Sequence, residues 1–430
     1  MTVTGSTRRQ DAFDRARIYL TSDLRADLIA GFTTAVVLIP QGMAYAVLAG
    51  LPPIYGLYAS ILPLLGYAMA GSSRQLAVGP VATDSLLVAT SLAGVAAAGS
   101  PAYVEAAVAL AVMVGAIQLI FAFLRAGFVA DVLSMPVIGG FSSAVALIIA
   151  STQIPSLLGI ATPRSSNITE TLHAVGLRLE MAHAPPALNG LVAHAAMLVA
   201  RRFAPHWPRA LLVSAVATLV VAAGGMEHTG VAVVGPLTSG LPDLKFTVPS
   251  VGTMEALAPS AFTLALVGFV EAIAVAKRYA SAHQYAIDPN RELLGLGLAN
   301  LAGSVSGAFP VSAGFSRTAV NDDAGARTRW ASVFTAGTVA LTLLFLLPCF
   351  HHLPVSALAA IVLAAVVGLV DVKYPRSLWR SHRGDFGTWG ITFAATLAFG
   401  IGAGLLTGLL SSFLTPLFRS SQSALAGERV

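Results

Sequence analysis

Arg317 stands in FPVSAGFSRTAVN (309–321), a stretch rich in Gly, Ser and Pro between long apolar runs. A guanidinium stays protonated and can fork onto an oxyanion or a carboxylate. Glu271, in LVGFVEAIAVAKRYA, falls in the middle of another apolar run. An ionised carboxylate is expensive there, which suits a group that carries a proton. Gln41 and Tyr45, in IPQGMAYA, are one helical turn apart and share a face. The amide can donate to an anion, and the phenol offers a ring edge and a hydroxyl. Plainer roles compete with each of these. Arg317 could pair with Asp322, Asp323 or Asp84 and lock packing, Glu271 could be a neutral acid bonded to a neighbouring helix, and Gln41 and Tyr45 could simply pack beside Pro40.

The elements that must hold these residues are read from charge and from helix breakers. Of 430 residues, 56% are hydrophobic and 10% charged, against about 25% charged in a soluble domain. No Asp, Glu, Lys or Arg occurs in 28–73, 132–163 or 386–418. A spanning helix needs about 20 mostly apolar residues, so the chain reads as an all-α polytopic membrane protein. Pro, Gly and charge place helices at about 28–51, 54–70, 81–97, 102–125, 130–151, 187–201 and 208–224. A second set falls at 257–278, 290–304, 313–323, 329–348, 354–370 and two short pieces in 387–418. Residues 164–182 read as an interfacial amphipathic segment, and 230–250 as the loop dividing the chain. The total is about fourteen helices, seven plus seven.

With the N-terminus inside, 21 of the 25 Lys and Arg fall in cytoplasmic segments. Arg164, Arg178 and Lys245 fall outside, and Arg317 is left in the membrane. That is the positive-inside pattern, and an odd number of spans per half makes the halves run in opposite directions. A finer mark agrees: Gln41 precedes Pro80, and Glu271 precedes Pro310, by 39 residues each, so one offset of 230 relates both pairs. Inverted repeats with Gly/Pro-broken helices mark secondary transporters. The segments after Pro80 and Pro310 read as two half-helices meeting at the midplane, each with a Pro near its start. Their free N–H groups carry partial positive charge and favour an anion, with Arg317 adding to it.

Other chemistry is not signalled. The polar N-terminal stretch with Arg8, Arg9, Arg15, Arg17 and Arg25 reads as a cytoplasmic leader and not a signal peptide. The single Cys349 excludes an internal disulfide. The nine histidines are scattered, His351-His352 is a loop pair, and no spacing indicates a metal. GIGAG at 400–404 has no strand before it and carries no nucleotide signal. No cofactor and no nucleic acid is expected, and the net charge of +5 is a matter of topology.

At these residues the sequence resembles the SulP family of anion permeases. The resemblance lies in PQGMAYAVLAGLPPIYGLYASILPLLGYAMAGSSRQLAVGP (40–80), VGPLTSGLP (234–242), LVGFVEAIAVAK (266–277) and FPVSAGFSRTAVN, in that order, and spans most of 20–420. It implies a seven-plus-seven inverted-repeat fold like that of the uracil permeases. Its parts would be a cytoplasmic segment (1–26), core domain (27–126 and 256–350), gate domain (127–229 and 351–418), extracytoplasmic connecting loop (230–255) and cytoplasmic tail (419–430). An anion would sit between the starts of helices 3 and 10. The substrate-binding positions then map to Gln41, Tyr45, Val81, Ala82, Gly314, Phe315, Ser316 and Arg317, and the proton-coupling carboxylate to Glu271. Val275, where sodium-coupled relatives carry Thr, argues against sodium. The STAS domain that usually follows is expected to be absent.

The expected function is proton-coupled symport of a small anion (sulfate, bicarbonate or a dicarboxylate) by alternating access, in the inner (plasma) membrane, with both termini cytoplasmic and a homodimer as the allowed assembly. A nucleobase permease of the same fold would want a second carboxylate where Arg317 stands. A passive anion channel or exchanger, or a charge-driven motor, would not need Glu271. A membrane enzyme lacks a catalytic cluster.

Overall fold

The computed structural model describes residues 22–129, 134–160, 162, 167–181, 184–203, 207–237, 240–246, 248–367, 370–408 and 410–412. Most of the expected cytoplasmic leader and all of the expected tail lie outside these residues. The helices of the first half are α1 (Leu24–Ala49), α2 (Ile54–Tyr58), α3 (Leu62–Ala70), α4 (Ala82–Leu92), α5 (Pro101–Phe123), α6 (Met135–Leu158), α7 (Ile168–Gly176), α8 (Ala184–Phe203) and α9 (Arg209–Gly224). Those of the second are α10 (Val251–Ala282), α11 (Pro289–Val305), α12 (Phe315–Asp323), α13 (Ala331–Leu341), α14 (Val355–Val367), α15 (Lys373–Ser381) and α16 (Arg383–Phe399). Residues 401–408 are helical again beyond Gly400. Two strands, β1 (Val78–Gly79) and β2 (Ser312–Ala313), precede α4 and α12.

Local sequence explains the boundaries. Ser100 and Asp288 sit before Pro101 and Pro289, and their side chains accept the Tyr103 N–H, and the Asn290 and Arg291 N–H groups, respectively. Each is an N-cap followed by a proline whose missing N–H costs nothing there. Ser250 caps α10 in the same way through the Thr253 N–H. Five helices among the described residues are long and apolar enough to cross a membrane: α1, α5, α6, α10 and Ala331–Phe350. Phe32, Met69, Phe123, Phe262 and Phe345 point outward from the bundle, exposed, as lipid-facing side chains do.

Several elements differ from the sequence reading. The helix expected at 54–70 is two, α2 and α3, with a turn at 59–61 between them. The span expected at 329–348 is not one regular helix: α13 passes into a π-helical turn, Thr342–Leu346, and then a 3₁₀ turn, Leu347–Phe350, that contains Pro348. The cationic segment after 370, where the sequence reading places no helix, contains α15. The Asp371 carboxylate accepts the Lys373 and Tyr374 N–H groups and so opens that helix. Only Leu378 of α15 is buried, so its Lys and Arg are solvated along an amphipathic surface helix.

The packing falls into two groups. In one, α11 lies between α3 and α5, α13 packs on α1 and α3, α10 on α5, and α12 on α1. In the other, α6 packs on α14 and α16, and α8 on α14. The groups meet where α14 and α9 touch α1 and where α4 touches α6. Small residues permit the closest crossings, as membrane interfaces require. A side chain at Gly56 would collide with the Gly42 carbonyl, so the hairpin from α1 to α2 closes only with glycine there.

Two fully buried carboxylates tie the halves together, neither in an ion pair among the described residues. Glu292 accepts from the Tyr67 hydroxyl (2.8 Å), the Ser72 N–H (2.8 Å) and hydroxyl (2.6 Å), and the Ser73 N–H (2.9 Å). Asp27 accepts from the Arg327 and Thr328 N–H groups and the Thr328 hydroxyl. Removing Glu292 strands buried donors, each worth about 1–3 kcal/mol. Glu292→Ala is therefore expected to lower the melting temperature of the purified protein by several degrees, and Glu292→Gln by less; equal melting curves for Ala and wild type would refute the account.

Candidate functional site

β1 and β2 pair antiparallel, with Val78 opposite Ala313 and Gly79 opposite Ser312. The pair brings the starts of α4 and α12 together. Val81 and Gly314, the residues before each helix, are extended, and neither supplies a side-chain cap. Their first N–H groups therefore have no intrahelical partner. The prolines do not open the helices as expected. Pro80 follows β1 directly, whereas Pro310 lies on the far side of β2, five residues before Phe315. The two helix starts, Ala82 and Phe315, are 233 residues apart, so the offset of 230 that matches the prolines does not match the helices.

A buried polar framework fixes this geometry. The Asn300 side chain, on α11, accepts the Val311 N–H (2.9 Å) and donates to the Val311 carbonyl (3.1 Å). It also donates to Gln118 Oε1 on α5 (3.0 Å), and Gln118 donates in turn to the Ala265 carbonyl on α10 (3.3 Å). On the other strand the Ala77 N–H donates to the Thr318 hydroxyl (3.1 Å), and Asn321 donates to the Gln75 carbonyl (2.9 Å). Thr34 of α1 donates to Asn321 (3.2 Å). In hydrocarbon every irregular backbone group needs such a partner, and here Asn and Thr side chains supply it.

Arg317 is 1% exposed, the largest fully buried side chain among the described residues. Its Nη1 donates to the Pro80 carbonyl at 2.5 Å, across the strand pair. Among the described residues its Nε and Nη2 have no hydrogen-bond partner. No carboxylate among the described residues is at ion-pair distance from it, and Asp322 instead meets His283 Nε2 at 2.6 Å. The expected alternative pairing with Asp322 is thus not formed. A side chain at Gly314 would lie 2.8 Å from the Arg317 guanidinium carbon, so the guanidinium would have to move.

A cavity of about 50 Å³ opens at this point. It is lined by Tyr45, Val81, Ala82, Glu271, Gly314, Phe315, Ser316 and Arg317, all expected from the sequence. Gln41, the ninth, is buried but borders a neighbouring cavity of about 330 Å³ beside Arg209 and Asp323, and its Oε1 has no partner. Ser316 borders both. The sequence reading missed Thr83, Ser142, Ala313, Ala365 and Val366 in the lining. Thr83 follows directly on Ala82 and Ala313 directly precedes Gly314, so both could have been included. The other three come from α6 and α14, whose apolar sequence carries no mark of a site.

The chain matches the Sulfate permease family over residues 24–392. It belongs to that family. Among similar proteins, sulfate transporter 4.1, chloroplastic, of Arabidopsis thaliana is 38% identical over 94% of this chain and 59% of its own length. The sodium-independent sulfate anion transporter of Bos taurus is 35% identical over 90% of this chain and 69% of its own. The chain spans about 60% of the plant relatives it matches. Murine solute carrier 26 family member A9, an anion transporter solved in the inward-facing state, superposes with a TM-score of 0.85 at 26% identity, over 93% of this chain and 69% of that one. The transmembrane domain of the cyanobacterial bicarbonate transporter BicA shares the fold, with a TM-score of 0.77 at 21% identity over 91% and 98% of the two chains. The family is one of multi-pass membrane transporters and not of enzymes.

The contact between Gly314 and Arg317 gives a test of the geometry. Gly314→Ala should displace the guanidinium from the Pro80 carbonyl and lower the melting temperature. In Gly314→Ala combined with Arg317→Ala the clash has no partner, so the double change should cost less than the sum of the single ones, by about 0.5–3 kcal/mol. Additive effects would place Arg317 elsewhere.

Proposed function

We propose that this chain is the membrane part of a secondary active anion transporter, and that the anion binds between the starts of α4 and α12. The observation that carries the reading is the buried Arg317 guanidinium, with donors left over, beside two uncapped helix N-termini. Such an arrangement selects charge by backbone and one cation, so sulfate, bicarbonate or a small dicarboxylate fits the chemistry. Gln41, Tyr45, Val81, Ala82, Gly314, Phe315, Ser316 and Arg317 are the proposed substrate-binding residues, with Gln41 reached through the cavity that shares Ser316. A nucleobase permease is disfavoured by a cation at the position where it would want a carboxylate.

The proposed cycle is proton-coupled symport by alternating access. The group holding α4 and α12 would be the core domain, and the group of α6, α8, α14 and α16 the gate domain. They would form a fourteen-helix, seven-plus-seven inverted repeat with both termini cytoplasmic. Ser142, Ala365 and Val366, which belong to the gate group, line the core's cavity; that is the contact a rocking motion would break. Glu271 faces the same cavity and is the proposed proton carrier. It would cross as the neutral acid with the anion and release its proton on the other side. A plasma-membrane location and a homodimer complete the reading.

Two measurements test it. Arg317→Ala should weaken anion binding by about 2–5 kcal/mol, the cost of removing one partner of a desolvated charged contact; unchanged affinity in a well-folded variant would sink the site. In proteoliposomes, an inward proton gradient should drive accumulation of labelled anion, and Glu271→Gln should abolish the gradient dependence while anion exchange persists. Accumulation that survives intact in Glu271→Gln would move the coupling to another group, with Asp84, whose Oδ1 is buried without a partner, next in line. Replacing sodium by choline should leave uptake unchanged. Val275 offers no oxygen to a cation, and the bovine relative is itself named sodium-independent.

A further inference from the structure

We propose that Glu227, His351 and His352 form a binding site for one divalent transition-metal ion of the zinc class. Residue 227 is more than 120 positions from the histidine pair, which is why spacing along the chain does not reveal the cluster. The fold brings one donor atom from each residue to within 4.8 Å of the other two. Two imidazoles and a carboxylate are a zinc donor set, and three protein donors leave a fourth position for water. His352 Nδ1 and Glu227 Oε2 are 3.3 Å apart. Donors about 2.0–2.1 Å from a tetrahedral ion are separated by roughly 3.3–3.4 Å, so the pair already spans one edge of the coordination polyhedron.

The frame around the cluster is regular. Glu227 lies on a single 3₁₀ turn, Met226–Thr229, which follows α9 directly. The segment after it runs antiparallel to the residues around the histidines, through Gly235 N–H to the His351 carbonyl (3.0 Å), Val234 N–H to Leu353 (2.9 Å) and Val355 N–H to Ala232 (2.9 Å). Both donor segments are thus held in register before any ion arrives. The His351 ring meets the His352 ring edge-on, with centroids 4.5 Å apart, so the second imidazole is drawn to the same point. A partly exposed His–Glu pair contributes little by itself and gives no reason for the third donor to converge. The side chains of His352 and Glu227 are 37% and 32% exposed, open enough for an ion to enter from water. A bound ion would clip the end of α9 to the segment that leads into α14. This proposal does not depend on the transport reading.

The experiment uses the full chain, purified without a histidine tag, stripped by chelator and titrated with Zn²⁺ by calorimetry and with Co²⁺ by visible absorption. One ion per chain is expected, with the intense visible bands of tetrahedral Co²⁺ and a Zn²⁺-dependent rise in melting temperature. Glu227→Gln and His352→Gln should each weaken binding by at least about tenfold and remove the thermal effect, whereas His228→Gln, at an exposed neighbour, should change neither. Absence of stoichiometric binding to the wild type would overturn the proposal by itself, as would binding that persists unchanged in both Glu227→Gln and His352→Gln. Should either variant fail to fold, the wild-type stoichiometry and Co²⁺ spectrum still decide.

Discussion

The hydrogen bond from Arg317 to the Pro80 carbonyl is the point on which the centre of this protein depends. It joins the second half of the chain to the first across the only strand pair among the described residues. A guanidinium in a buried, low-dielectric place is costly unless its donors are used. Here one donor is used by the protein and others are not. A membrane protein that wanted only a packing lock would place a carboxylate beside this arginine. The nearest such residue on its own helix, Asp322, is instead engaged with His283. Arg317 thus lies buried at the meeting point of two helix ends with no ion pair among the described residues.

Holding that charge needs a rigid surround, and the surround is made of neutral amides and fully satisfied carboxylates. Asn300 and Gln118 clamp one strand from three helices, while Thr318, Asn321 and Gln75 hold the other. Glu292 and Asp27 bind loops of the opposite half by accepting backbone N–H groups. Networks of this kind rigidify when every member is satisfied. Among the described residues, buried polar atoms without a partner occur on Arg317 and Gln41, which border the two cavities, and also on Asp84, Ser143, His194, Ser312 and Trp389.

How much of this was readable beforehand follows from the kind of physics involved. Apolar length and breaker residues act locally, so the long helices α1, α5, α6 and α10 and the interruption before α4 follow from the chain alone. The irregular end of α13 and the formation of α15 do not, because each turns on a few local bonds, such as the Asp371 carboxylate on two N–H groups, that composition does not announce. Of the nine site residues inferred from the sequence, eight line one cavity. Gln41 lies next to it because one helical turn along α1 is enough to pass from one cavity to the other. Ser142, Ala365 and Val366 were invisible, since ordinary residues join a site only through the packing of one helix group on another.

The sequence by itself determined that this is a membrane chain of many helices, with one arginine and one glutamate stranded in apolar surroundings, because the cost of charge in hydrocarbon makes such residues conspicuous. It also carried the family motifs. Only the tertiary structure decided what the arginine touches, where each half-helix starts, and which polar atoms are left over. The 230-residue offset between the prolines shows why. Sequence matching aligns residue types, but the strand pairing sets the helix starts 233 apart, and hydrogen bonds between distant segments are fixed by three-dimensional register alone. The same holds for Glu227 beside His351 and His352, which the chain keeps far apart and the fold brings to one point.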